Sequence, residues 1–111
     1  MPFPVDPTKP DGEATRKLLA SLWERNLPVL RERLAVLDHA VNMARLGTLT
    51  AQVRNEALDV AHKLSGSLGM FGYNDATGFA RQIEHQLEAV GDVNALQLAE
   101  QLAAMRATLS L

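Results

Sequence analysis

An all-α fold, an antiparallel up-and-down four-helix bundle with a short additional N-terminal helix, is what this 111-residue sequence predicts. Three observations carry that expectation. Apolar residues recur three and four positions apart through most of the chain, the spacing that lines one face of a helix. No segment sustains the alternation with β-branched residues that a half-buried strand requires. Glycines, prolines and capping residues divide the chain into stretches joined by short connections, which favours antiparallel neighbours.

Pro2, Pro4, Pro7 and Pro10 each fix φ and remove a backbone donor, so residues 1–10 read as a flexible extended arm ahead of a bundle over 11–111. Asp11 offers an N-cap, and residues 13–25 place Leu18, Leu19, Leu22 and Trp23 at helical spacing, which predicts the short additional helix. Pro28 marks a new start, with Asn26 or Leu27 as cap and the proline in the first turn. The helix that follows sets Leu30, Leu34, Leu37, Val41 and Ala44 on one stripe and stops at Gly47. Thr48 or Thr50 caps the next, which runs to about residue 71 and ends at Gly72 and the pair Asn74 and Asp75. A further helix to about Val90 carries Phe79, Ile83 and Leu87, and the pair Gly91 and Asp92 ends it and caps the last. That last helix carries Leu98, Leu102, Met105 and Leu109. Gly66 and Gly69 are the local misfit, since a glycine in an exposed helix interior costs about 1 kcal/mol relative to alanine.

Composition narrows the chemistry. A hydrophobic fraction of 47% against 22% charged residues supports one packed core and no second domain. The absence of cysteine excludes a disulfide framework, a thiolate nucleophile and sulfur-ligated zinc. Eleven Lys and Arg against thirteen Asp and Glu leave a net charge of -2 without a basic block, so nucleic acid is not an expected partner. No apolar run approaches the about eighteen residues of a membrane span, and the proline-spaced start lacks the basic and apolar regions of a secretory signal. The expected setting is therefore the cytoplasm, with no membrane partner.

On a helical wheel Val53, Ala57, Val60, Leu64, Leu68 and Phe71 fall within an arc of about 80°, the face that enters the bundle. His62 lies about 160° from the centre of that arc, in the company of Asn55, Leu58, Ser65, Gly66 and Gly69. The histidine is expected to point at solvent. One turn onward the neighbours are a hydroxymethyl group and a hydrogen, which leaves a low surface for another protein, while Leu58 one turn earlier offers an apolar contact. An imidazole in water is substantially neutral at cytoplasmic pH and offers a ring nitrogen as nucleophile without burial or a catalytic carboxylate. Nε2, farthest from the backbone, is the expected reacting atom.

The run AHKLSGSLGMFG over residues 61–72, followed by FARQIE over 79–84, closely resembles the histidine-containing phosphotransfer (Hpt) family. The resemblance covers residues 15–109 in layout and is most specific between Ala61 and Glu84. It implies a phosphoaccepting histidine, His62, on the second helix of a four-helix bundle, followed by positions matching Ser65, Gly66, Ser67 and Gly72. It implies a phosphorelay intermediate that takes a phosphoryl group from the aspartate of a response-regulator receiver domain and passes it to another receiver. The partners it implies are receiver domains, with a hybrid sensor kinase as a further candidate, acting on a monomer. No cofactor is expected on this chain and no autonomous ATP-dependent kinase activity, because Mg²⁺ and the acidic pocket belong to the partner receiver. Asn55, Leu58, Gly66 and Gly69 are the implied docking surface.

One departure stands out. The family's commonest lysine, three positions after the histidine, is Ser65 here, and Lys63 sits about 100° around the helix from His62. A serine hydroxyl donates a hydrogen bond, and a lysine stem has reach, but either steadies a phosphoryl dianion less directly than a facing ammonium. Arg81, Gln82, Gln86 and Arg54 are further phosphoryl-neighbouring candidates.

Other classes predict different things. A metal site needs converging ligands, whereas His39, His62 and His85 fall on three helices, each roughly opposite its own apolar stripe. No glycine-rich nucleotide loop is present, which disfavours a stand-alone kinase, and an autokinase dimerisation domain would be dimeric. A non-catalytic helical-bundle binding or scaffolding module for signalling proteins is the alternative, and it predicts no phosphohistidine.

Overall fold

A computed structural model describes residues 10–111, and the remainder of the predicted arm, residues 1–9, lies outside the described residues. Four helices follow in order: α1 Pro10–Arg45, α2 Ala51–Met70, α3 Asn74–Glu88 and α4 Ala95–Leu109. No strand occurs among the described residues. Each helix packs on its neighbours, α1 on α2 and α4, α3 on α2 and α4, so the four close into a ring. The short connections make neighbours antiparallel. Leu30, Leu34 and Leu37 of α1 meet Ala61, Leu64 and Leu68 of α2, Ala80 and Ile83 of α3, and Leu98 and Met105 of α4 in a single core.

The expected fifth helix is not separate. Residues 13–25 are the first part of α1, which begins at Pro10 rather than after an Asp11 cap and continues past Pro28. The proline removes the bond to the Glu24 carbonyl, but both residues lie on the exposed side, where water serves that carbonyl. On the opposite side Trp23 and Leu27 before the proline and Leu30 and Leu34 after it pack against the same core, so burial holds the helix through the break. Trp23 meets Phe71 edge-on with centroids 5.2 Å apart and lies over Tyr73 at 4.6 Å, fixing α1 to the turn between α2 and α3. Ahead of that anchor α1 overhangs the bundle, and Leu18 and Leu22 are 59% and 41% exposed.

The remaining boundaries follow local chemistry. Thr50 accepts from the Val53 N–H at 3.1 Å and caps α2. Asn94, not the expected Asp92, caps α4 by accepting from the Gln97 N–H at 3.0 Å. At the end of α2 the Tyr73 N–H bonds the Leu68 carbonyl and the Gly72 N–H bonds the Gly69 carbonyl, both at 3.0 Å. That pair of bonds requires a left-handed residue, which Gly72 supplies with φ of 80°. The turn fixes the register of α2 against α3, and hence what faces the histidine.

Candidate functional site

α2 buries Ala57, Ala61, Leu64 and Leu68 and turns its opposite side outward. His62 stands there with its side chain 73% exposed. Its Nδ1 lies 2.7 Å from Glu84 Oε2 on α3, and the Glu84 side chain is only 18% exposed. Because an ionised carboxylate only accepts, this contact assigns the ring proton to Nδ1 and leaves the Nε2 lone pair facing outward. The ring therefore has a carboxylate partner that an isolated surface imidazole lacks. His62 and Glu84 meet because each is eleven residues from Tyr73, on either side of the turn.

The other expected residues separate into groups. Ser65 Oγ donates to the His62 carbonyl at 2.8 Å, so its hydroxyl proton is engaged within α2. Lys63 Nζ pairs with Asp59 at 2.8 Å. Gln86 turns to α4, where its Nε2 donates to Gln101 Oε1. Arg81 and Gln82 are exposed on α3. Asn55, Gly66 and Gly69 are exposed on α2, while Leu58 is half-buried and packs against the core rather than standing free. His39 and His85 are exposed on α1 and α3, and no three metal-ligating side chains come together among the described residues.

A methyl group on Gly66 would meet nothing within 4 Å, and one on Gly69 would touch only the Thr77 side chain at 3.9 Å. Packing within the bundle therefore does not require either glycine. Gly66→Ala is expected to stabilise the fold by about 1 kcal/mol, read as a higher urea midpoint with an unchanged slope.

A family model for the Hpt domain matches residues 21–110. The chain belongs to the Hpt domain family. The match takes in most of α1 and all of α2, α3 and α4. This Hpt domain is also similar to Protein RcaC of Microchaete diplosiphon, at 36% identity over 69 residues, 62% of this chain. The aligned region is 11% of that relative's length. No solved structure matches the chain.

Two residues of the Hpt site region were not legible in their roles. Glu84 closes the quoted motif, yet its contact with His62 depends on a register between helices. Arg54, a phosphoryl-neighbouring candidate, instead donates to the Leu87 carbonyl at 2.9 Å, the Gly91 carbonyl at 2.7 Å and the Ala89 carbonyl. It thereby caps the C-terminus of α3, the helix that carries Glu84. Arg54→Ala is expected to cost about 1–3 kcal/mol in urea unfolding, and Arg54→Lys to recover only part, because an ammonium lacks the planar fork.

Proposed function

We propose that this Hpt domain is a phosphorelay intermediate: His62 accepts a phosphoryl group from the aspartyl phosphate of a response-regulator receiver and passes it to another receiver. The observation that carries the reading is an exposed imidazole whose Nδ1 is held by a carboxylate, so that Nε2 is both available and unprotonated, with its lone pair free to attack. In the forward step Nε2 forms a bond to phosphorus as the phosphorus–oxygen bond to the aspartate breaks, and the aspartate leaves as a carboxylate. No proton moves. The ring keeps its Nδ1 proton and becomes positively charged, and Glu84 sits against the nitrogen where that charge develops. The same positive ring is a good leaving group in the reverse direction, which suits a carrier between two acyl phosphates.

Little else is asked of the bundle. The receiver is taken to bring its acidic pocket and Mg²⁺, while α2 brings nucleophile, access and a low docking surface at Gly66 and Gly69. The proposed setting is a monomer in the cytoplasm, with a hybrid sensor kinase as a further partner. No described helix is long and apolar enough to cross a membrane.

The test is phosphoryl transfer from labelled, phosphorylated receiver domains, with ATP alone as the negative control. Label from the receivers and none from ATP supports the carrier, whereas no label from any competent receiver leaves a binding module. Gly66→Leu tests docking separately. With open space around the glycine the fold should be retained, but a branched side chain beside the imidazole should slow transfer by about 10- to 100-fold.

A further inference from the structure

We propose that Arg81, reaching across from α3, is the cation that steadies the phosphoryl group on His62, in place of the lysine that Hpt domains commonly carry three positions after the histidine. The inference rests on the phosphoryl-transfer reading above and deepens it. Two contacts fix how α2 and α3 face each other: His62 meets Glu84, and Gly69 faces Thr77. Along that register the residue opposite Ser65 is Arg81. The missing ammonium and the guanidinium thus occupy the same level, one on each side of the groove between the two helices.

Elimination among the nearby cations points the same way. Lys63 is paired with Asp59, and Arg54 is spent on three carbonyls at the end of α3. Ser65 has committed its proton to the backbone, and Gln86 is turned to α4. Arg81 is exposed and has no ion-pair partner among the described residues. It precedes Glu84 by three residues, about 4.5 Å along the axis, so the two lie on one flank of α3. Neighbouring helices are separated by about 8–10 Å, a gap that a guanidinium on its three-carbon stem crosses when a phosphoryl group stands on Nε2. The division of labour is then simple. Glu84 faces the ring nitrogen that turns positive, and Arg81 faces the phosphoryl oxygens, to which its fork can donate two hydrogen bonds.

The test uses the full chain with a phosphorylated receiver as donor and compares the wild type with Arg81→Ala, Arg81→Lys and the double variant Ser65→Lys/Arg81→Ala. Arg81→Ala is expected to lower the maximal transfer rate about tenfold, to leave the half-saturating receiver concentration within about twofold, and to leave the melting temperature unchanged. Arg81→Lys should keep most of the rate, and Ser65→Lys should bring the Arg81→Ala background back to within about threefold of wild type by restoring a cation from the other side. Wild-type rates in Arg81→Ala overturn the inference, as does a loss confined to half-saturation or one that Ser65→Lys leaves unrepaired, either of which would make Arg81 a docking residue. A wild-type chain that takes no label overturns the phosphoryl-transfer reading itself, and this inference with it.

Discussion

His62→Gln is expected to take no label from any phosphorylated receiver while keeping the helix content and unfolding midpoint of the wild type. The loss is complete because glutamine has no nucleophilic nitrogen, and no other histidine has the arrangement around His62. His39 and His85 are exposed, but neither has an ionised partner holding Nδ1 among the described residues. The fold survives because the ring is largely in water, where substitutions change stability by less than about 0.5 kcal/mol. Circular dichroism and urea unfolding beside the labelling assay separate the two effects. Residual transfer in a folded His62→Gln chain would move the phosphoryl site elsewhere.

The second large effect is at Glu84. Glu84→Ala removes both the acceptor that keeps the proton on Nδ1 and the negative charge that meets the forming imidazolium. A charge-assisted hydrogen bond contributes about 1.5–3 kcal/mol, which corresponds to a loss of about 10- to 100-fold in transfer rate. Glu84→Gln divides the two contributions. Its amide oxygen still accepts from Nδ1–H, so the tautomer is kept while the charge is lost, and the expected rate lies between alanine and wild type. Single-turnover transfer at saturating receiver is the measurement. Equal rates for all three chains would mean that Glu84 only decorates the histidine.

The fold was readable where local chemistry and tertiary packing agree. The caps and stops of α2, the apolar stripe of α4 and the turn at Gly72 are written in consecutive residues. Pro28 misled because the cost of an interior proline is local, whereas the packing that offsets it joins Trp23 and Leu27 to Leu30 and Leu34 through a core assembled from all four helices. The cap of α4 fell two residues beyond the expected aspartate for a smaller reason: Asn94, not Asp92, immediately precedes the helix.

The site divides in the same way. His62 was legible because the apolar arc of its own helix defines outward, and the glycines beside it have no role in packing. Glu84 was not, because a contact across two helices exists only once their register is set, and the register comes from the bonds that close the Gly72 turn. Its trace in the sequence is the equal distance of His62 and Glu84 from Tyr73. Arg54 left no such trace. A guanidinium capping the carbonyls of another helix is indistinguishable in sequence from one awaiting a phosphate.

The account depends on which nitrogen is free to attack, and nuclear magnetic resonance of the phosphorylated chain reads that directly. After transfer from a phosphorylated receiver, ¹H–³¹P and ¹⁵N correlations on the ring should show one phosphohistidine, at His62, bonded through Nε2 with the Nδ1 proton still present. Phosphorus on Nδ1, on a different residue, or nowhere on a chain exposed to competent receivers would contradict it.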